Sequence, residues 1–225
     1  MAEFYLVRHG QASFGAANYD QLSPLGHQQS QWLGEYFAER NIHFDAMVTG
    51  ELVRHRETAE GICRGMGYEL EADVRAGLNE FDFQAVVSAC IQQHPEMCPV
   101  EGAPRSAFYR LLKIAMQKWR EEALTGELPE TWAHFSERVA QVLAHLQQSY
   151  AEHERVLLVT SGGAIAMALK HILGTADETV VELNLQTRNA GVTQGFFNSR
   201  VIRLTAFNQV PHLDRPDRPG AITFS

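Results

Sequence analysis

Hydrophobic positions change their spacing several times along the chain, and these changes predict strands that alternate with helices. Residues 4–7 form a continuous apolar run, which predicts a short strand. Ser23 and Pro24 are typical of a helix start, because serine caps the first turn and proline suits the first helical position. Apolar residues then recur at helical spacing, at Leu25, Trp32, Leu33, Tyr36 and Phe37. One strand and one helix are therefore expected before residue 40.

The alternation continues through the rest of the chain. Short strands are predicted over residues 45–49, 68–72 and 155–160. Helices are predicted over residues 52–66, where Gly67 ends the helix, and from the Gly162-Gly163 pair to Leu173. Two long amphipathic helices are expected around residues 108–119 and 132–146. Three β-rich segments are expected near residues 179–185, 191–198 and 201–207.

This order of elements predicts the fold class. Strands interleaved with helices imply an α/β sandwich with a mostly parallel central sheet and helices on both faces. The chain has 225 residues, enough for one domain with a full core, and it shows no repeat and no low-complexity linker. We therefore predict a single domain over residues 1–225, with a helical insertion or cap at about residues 82–150.

Charge and hydropathy exclude several classes of partner. The net charge of −8 argues against nucleic acid, whose binding depends on an excess of Lys and Arg. No apolar stretch approaches the roughly 20 residues that span a bilayer, so no membrane partner is expected. The N-terminus lacks the features of a secretory signal, and a cytoplasmic location is expected. The three cysteines, Cys63, Cys90 and Cys98, are predicted to be free thiols.

The most informative residues are Arg8, His9 and Gly10, which follow the first strand directly. A guanidinium binds phosphate oxygens in a fork, and a neutral imidazole can attack phosphorus as a nucleophile. Ligands of such sheets bind at the carboxyl ends of the strands. A second strand ends near Arg54, and a third ends at residues 160–163, where two glycines and a helix start favour an anion. These three strand ends predict a phosphate site.

Four segments in order along the chain resemble the motifs of the histidine phosphatase superfamily, also called the phosphoglycerate mutase-like family. They are residues 6–10, 49–59, 78–82 and 156–165. The resemblance spans nearly the whole chain, and residues 82–150 are its most divergent part. It implies a three-layer phosphoglycerate mutase-like sandwich, a small phosphorylated substrate, and catalysis that needs neither metal nor cofactor.

The resemblance also implies roles for single residues. His9 would attack the substrate phosphorus in line and form a phosphohistidine, which water then hydrolyses. Arg8 and Arg54 would neutralise charge on the phosphoryl oxygens, with Arg56 as a less favoured substitute for Arg54. His9 must be neutral for this attack.

Glu80 would give its proton to the departing oxygen, and Asp82 is the runner-up for that role. A carboxyl group needs a raised pKa for this task, through burial or a neighbouring phosphate. The alternative for Glu80 is a solvated carboxylate in a loop.

The sequence departs from the family pattern at two places. The family normally carries a second histidine directly before Gly-Gly, where this chain has Ser161. Serine offers one neutral donor, and losing a preorganised donor typically costs on the order of 100- to 1,000-fold in rate. Many members also place a phosphate-binding asparagine near residue 15. Asn18 or Ser13 could take its place here, so Ser13 is a further candidate phosphate ligand beside Ser161.

These residues favour a phosphomonoester hydrolase, slow or specialised because of Ser161. The alternative is a catalytically degenerate protein that binds a phosphorylated ligand or an interaction partner. A phosphomutase is disfavoured, because its phosphoenzyme must be protected from water. The leaving group stays open among sugar phosphates, nucleotides, phosphoamino acids and phospholipid head groups.

The other ionisable and exposed groups carry fewer expectations. The chain has no His-Glu-x-x-His and no other tight ligand cluster, so no metal is predicted. Exposed faces of the long helices could support a homodimer, although no sequence feature demands one. Surface or structural roles are expected for the remaining histidines: His27, His43, His55, His94, His134, His145, His153, His171 and His212.

Overall fold

The computed structural model describes residues 1–13, 20–100 and 102–224, and within them it contains six strands and seven α-helices. The strands are β1 (Ala2–Arg8), β2 (Ala46–Thr49), β3 (Ala72–Val74), β4 (Arg155–Thr160), β5 (Val192–Phe197) and β6 (Ile202–Gln209). The helices are α1 (Pro24–Glu39), α2 (Val53–Met66), α3 (Phe83–Gln93), α4 (Arg105–Arg120), α5 (Trp132–Ser149), α6 (Gly162–Leu173) and α7 (Glu178–Gln186). Short 3-10 helices cover Ala76–Leu78 and Pro95–Met97.

The strands form one mixed sheet in the order β3-β2-β4-β1-β5-β6. The first four strands of that order are parallel, while β5 runs antiparallel to both β1 and β6. Arg8 of β1 lies opposite Thr160 of β4, and Thr49 of β2 lies opposite Val159. This register brings the carboxyl ends of three strands to one edge of the sheet. The α/β fold class that the sequence predicted is confirmed.

Alternate residues of the central strands face two separate hydrophobic cores, because side chains of a strand point to opposite faces. One core contains Phe4, Leu6, Val156 and Leu158 together with residues of α5 and α6. The other contains Tyr5, Val7, Leu157 and Val159 together with residues of α1 and α2. The sheet is therefore buried on both faces between two layers of helices.

Local sequence signals explain where the first two helices begin and end. The Oγ of Ser23 accepts a hydrogen bond from the Gly26 amide at 3.0 Å, and Pro24 is the first residue of α1. Helix α2 ends at Gly67, whose φ of 79° lies in the left-handed region that glycine adopts without strain. Both predicted boundaries agree with the structure.

Two predicted elements were wrong in type or position. Residues 179–185 were expected to be β-rich but lie in α7, where Val180 and Val181 are buried against the core beside α6. Burial of these β-branched residues outweighs their preference for strands. The third strand covers Ala72–Val74 instead of 68–72. Its predicted start is occupied by Tyr68, whose hydroxyl accepts a hydrogen bond from the Phe44 amide at 2.9 Å.

Residues 82–150 contain α3, α4, α5 and one 3-10 helix, of which α3 had no separate prediction. Their aromatic side chains pack beside the sheet edge that carries the strand ends: Trp119 stacks on Phe81 with ring centroids 5.0 Å apart and on Phe135 at 5.7 Å. The organisation of the chain as one domain with an insertion here stays a prediction.

The apolarity of the helices and the state of the cysteines were both the subject of expectations from the sequence. Over residues 1–13, 20–100 and 102–224, none of the helices combines the length and apolarity that crossing a membrane requires. The three cysteines form no disulfide; Cys63 and Cys90 are buried and Cys98 is exposed.

Candidate active site

A pocket opens at the carboxyl ends of the central strands, and two kinds of surface line it. The polar floor consists of Arg8, His9, Arg54 and Glu80. The apolar wall consists of Phe81, Phe83, Phe108, Tyr109, Leu112, Leu185 and Phe224. Asn184 of α7 completes the lining. The floor comes from the end of β1, the first turn of α2 and the loop before α3, whereas most of the wall comes from helices α3, α4 and α7.

His9 lies at the centre of the floor, directly after β1, and is only 4% exposed. Its Nδ1 lies 2.7 Å from the Gly10 carbonyl oxygen. A carbonyl can only accept, so Nδ1 carries the proton and Nε2 keeps its lone pair. Burial lowers the pKa of His9 well below its usual range, and the positive charges of Arg54 and Arg8 act in the same direction. His9 is therefore a neutral imidazole with a fixed tautomer.

Gly10 is required because helix α1 crosses closely above the end of β1. A Cβ at this position would lie 2.4 Å from the Gly26 carbonyl oxygen, which no side chain tolerates. The Gly10 amide donates to Thr58 Oγ1 at 3.0 Å, and the Thr58 hydroxyl donates to the Arg54 carbonyl at 2.7 Å. These bonds tie the end of β1 to the first turns of α2, so His9 and Arg54 keep a fixed relation.

The two arginines of the floor are held by different partners. Arg54 is in the first turn of α2, and its Nη1 lies 2.6 Å from Asp20 Oδ1. Arg8 donates from Nη1 to the carbonyls of Thr187 and Phe224, the latter at 2.7 Å. Arg54 is buried and Arg8 is half-buried, and both line the pocket, so their charges act on it at short range.

Arg56, the substitute considered for Arg54, does not line the pocket. Its side chain is 65% exposed and lies 3.7 Å from Glu60, four residues further along α2. The helical period places the two arginines on different faces of α2, so only Arg54 reaches the floor.

Glu80 follows the 3-10 helix at Ala76–Leu78 and reaches the start of α6. Its Oε2 accepts a hydrogen bond from the Gly163 amide at 3.0 Å, and Oε1 accepts one from the Phe81 amide at 3.2 Å. Burial raises the pKa of Glu80, although the Gly163 amide and the two floor arginines oppose that shift. A Cβ on Gly163 would lie 2.2 Å from Glu80 Oε1, which explains the glycine.

Asp82, the runner-up for the role of proton donor, is the N-cap residue of α3. Its Oδ1 accepts a hydrogen bond from the Ala85 amide at 2.9 Å and caps α3, and Asp82 does not line the pocket.

The remaining predicted ligands lie off the pocket lining. Ser161 is fully buried, and its Oγ lies 2.7 Å from His55 Nε2. Ser13 Oγ donates to the Leu22 carbonyl at 3.1 Å, which directs it toward the segment before α1. Asn18, like residue 15, lies outside the described residues.

Three features of the site escaped the sequence analysis. Asp20 contacts Arg54 and also accepts from the Val53 amide at 3.0 Å, but no motif marks it. His55 was grouped with surface or structural histidines; it is fully buried, with its ring centroid 5.9 Å from that of His9. Its position directly after Arg54 was the available signal. The apolar wall also had no signal, because its residues read as ordinary core positions.

Within residues 1–13, 20–100 and 102–224, no three His, Cys, Asp or Glu side chains are grouped in a way that could hold a metal ion.

The sequence of this chain is similar to a known protein family and to several curated proteins. Residues 4–210 match the sequence model of the histidine phosphatase superfamily, branch 1. Among curated proteins, probable phosphoglycerate mutase GpmB of Citrobacter koseri is 25% identical over an alignment covering 96% of this chain and 97% of that protein. The protein of the same name from Klebsiella pneumoniae subsp. pneumoniae is 27% identical over the same shares.

Solved structures show the same fold. The mycobacterial glucosyl-3-phosphoglycerate phosphatase in complex with inorganic phosphate superposes with a TM-score of 0.66 at 22% identity, covering 95% of this chain and 100% of that chain. The phosphoserine phosphatase of Entamoeba histolytica in complex with 3-phosphoglyceric acid has a TM-score of 0.65 at 20% identity, over 95% and 100% of the two chains.

Proposed function

Since the chain belongs to the histidine phosphatase superfamily, we propose that it hydrolyses phosphomonoesters through a phosphohistidine on His9. One observation carries the proposal. The Nδ1 proton of His9 is held by the Gly10 carbonyl, which leaves the Nε2 lone pair available in a pocket that also contains two guanidinium groups. A neutral nucleophile beside fixed positive charge is what attack on a phosphate dianion requires.

In the first step the phosphoryl group lies on the polar floor, with its oxygens near Arg8 and Arg54. His9 Nε2 attacks phosphorus in line, the N–P bond forms, and the bond from phosphorus to the ester oxygen breaks. The two guanidinium groups stabilise the charge that is spread over the phosphoryl oxygens. The Asp20 carboxylate holds the Arg54 guanidinium in place before substrate arrives. Substrate phosphate then competes with that carboxylate for the guanidinium.

Glu80 supplies the proton that the departing alkoxide needs. Its burial raises the pKa of the carboxyl group, and the negative charge of bound phosphate raises that pKa further. In the second step the Glu80 carboxylate takes a proton from water, the water oxygen bonds to phosphorus, and the N–P bond breaks. Inorganic phosphate and neutral His9 are regenerated, and Glu80 is protonated again.

The apolar wall favours an alcohol or phenol with a large apolar part as the leaving group. Phe108 packs edge to face against Phe83 and Tyr109, with ring centroids 6.4 and 6.0 Å apart, and so presents aromatic surface to the pocket. We further propose that turnover is slow or specialised, because Ser161 stands where the family carries a second histidine.

The test is hydrolysis of p-nitrophenyl phosphate without added metal, by the native chain beside His9→Ala and His9→Gln. We expect turnover in the native chain and none in either variant. A radiolabelled substrate quenched in alkali should leave label on the native chain, and acid should release it, because a phosphohistidine is stable to alkali and labile to acid. Phosphate binding without turnover across mildly acidic to neutral pH would instead identify a phosphate-ligand-binding protein.

A further inference from the structure

Ser161 and His55 form a buried pair beside the nucleophile. Arg8 and Thr160 are opposite each other at the ends of β1 and β4, so the next residues, His9 and Ser161, leave the two strands side by side. The His9 amide donates to the Thr160 carbonyl at 2.8 Å, which fixes the two strand ends together. Neighbouring strands are about 4.8 Å apart, so the backbone of Ser161 starts close to that of His9.

Ser161 occupies the N-cap position of α6 but does not cap the helix. An N-cap serine ordinarily accepts a hydrogen bond from an amide of the first turn. Here the Ser161 side chain makes no such bond, and the Gly163 amide donates to Glu80 instead. The Ser161 hydroxyl is turned toward His55 Nε2, 2.7 Å away. The Ser161 side chain is therefore directed to His55 and not to the helix that it begins.

The surroundings of His55 indicate which atom donates. Its Nδ1 is buried and has no hydrogen-bond partner among the described residues, and a Cβ on Gly50 would lie 2.2 Å from it. A proton on Nδ1 would therefore be a buried unpaired donor, which proteins avoid more strictly than an unpaired acceptor. A proton on Nε2 instead donates to Ser161 Oγ, and the hydroxyl proton of Ser161 is then free to be donated elsewhere.

We propose that His55 is a positioning residue that fixes the Ser161 hydroxyl as a donor to a phosphoryl oxygen during transfer to and from His9. This inference rests on the proposed function. A serine hydroxyl without a fixed partner rotates, and it can accept or donate a hydrogen bond. When His55 Nε2 donates to Ser161 Oγ, the hydroxyl proton of Ser161 is directed away from His55 and can be donated to another acceptor. Ser161 is fully buried and lies off the pocket lining, but His9 is itself only 4% exposed, so a phosphoryl group bonded to His9 would sit below the open pocket, where Ser161 would touch it. His55 would act only through Ser161. No bond is made or broken in this step.

Matched substitutions separate this role from packing. The amide nitrogen of glutamine can replace Nε2 of histidine, whereas that of asparagine replaces Nδ1. We expect His55→Gln to keep kcat within about threefold, while His55→Asn and His55→Leu lose about 100-fold, with KM changed much less, as for loss of one preorganised donor. Ser161→Ala should lose a similar factor. Equal losses in His55→Gln and His55→Asn would overturn the proposal.

The double variant supplies the second test. Residues that act as a unit are strongly non-additive, so His55→Leu should cost nothing further once Ser161 is alanine. Losses that multiply would contradict the proposed coupling. Absence of His9-dependent turnover in the native chain would defeat the proposed function separately. The same pattern of variants is then measured in the dissociation constant of inorganic vanadate, where Ser161→Ala should weaken binding and His55→Leu should add nothing in that background.

A measurement on the native chain avoids any failure of variants to fold. Long-range 1H–15N correlations of the imidazole rings distinguish the two neutral tautomers and the imidazolium. We expect His55 to carry its proton on Nε2 and His9 on Nδ1. A proton on Nδ1 of His55 would overturn the proposal whatever the activity.

Discussion

The polar floor and the apolar wall of the pocket are built by different means. Each floor side chain is fixed by hydrogen bonds to backbone or to a carboxylate, such as His9 to Gly10 and Glu80 to Gly163. The wall side chains are held by packing, with Phe108 against Phe83 and Tyr109. Hydrogen bonds fix direction, while aromatic packing fixes shape and tolerates repacking. In the proposed reaction the floor would carry the chemistry, and the wall would select among leaving groups.

The largest effect should come from removing charge from the floor. Arg54→Met keeps much of the side-chain volume but removes the guanidinium, and we expect kcat/KM to fall by about 1,000-fold or more, since a phosphate-stabilising arginine is worth about 10³–10⁵. Arg56→Met is the matched control, because that side chain is 65% exposed and pairs with Glu60 on the same helix. Comparable losses in the two variants, measured with p-nitrophenyl phosphate, would contradict the placement of the phosphate on the floor.

A second prediction concerns the role of proton donor that we propose for Glu80. Glu80→Gln should lower kcat by about 100-fold or more for alkyl phosphates, whose leaving oxygen needs a proton, and far less for p-nitrophenyl phosphate. Asp82→Asn is the control, since asparagine caps a helix as well as aspartate. It should leave kcat unchanged for both substrates. If Asp82→Asn instead shows the dependence on leaving group, the proton donor is Asp82.

The pH profile of the native chain should show the two floor groups directly. Burial lowers the pKa of His9 below its ordinary value of 6.5, so the protonation that removes the nucleophile occurs only at lower pH. Burial raises the pKa of Glu80, so this carboxyl keeps its proton to higher pH than an ordinary glutamate. For alkyl phosphates kcat/KM should fall on the basic side as Glu80 ionises. This basic limb should disappear in Glu80→Gln and persist in Asp82→Asn.

The smallest effect is expected at the wall. Phe108→Ala should raise KM for aryl phosphates by about 10-fold, within the range for burial of one aromatic side chain. Small polar phosphates should change little, because they make few contacts with the wall. The inhibition constant of inorganic phosphate, which contacts only the floor, serves as the internal control. A parallel rise in that constant would mean that Phe108 supports the floor and not the leaving group.

The same contrast explains what could be predicted from the sequence. The floor residues follow strands, and strands that end at one sheet edge bring Arg8, His9 and Arg54 together whatever the rest of the fold does. The strand pattern predicted this convergence, and the resemblance to the family supplied the roles expected of His9, Arg54 and Glu80. Sequence periodicity, however, distinguishes buried from exposed positions and not core from pocket. Phe108 and Leu112 were therefore expected simply as core residues of a helix.

The gaps in the sequence analysis have equally local causes. His55 directly follows Arg54, but a histidine in a helix is ordinarily solvated, and its partner Ser161 lies more than a hundred residues away in sequence. Ser13 was considered as a replacement for the family's phosphate-binding asparagine near residue 15. The bridge between Ala12 and Leu22 turns this segment toward the start of α1 instead.

The position of β4 has a consequence for how the chain is made. β4 lies between β2 and β1, so the first two strands along the chain do not pair with each other and join one sheet only when residues 155–160 pair with both. During synthesis a nascent chain shorter than this exposes unpaired strand edges, and such edges invite aggregation. Pairing of these six residues joins β1 to β2 and sets Arg8 opposite Thr160 and Thr49 opposite Val159. The rate at which catalytic activity returns during refolding should therefore report the slow step of folding, in which these long-range contacts form.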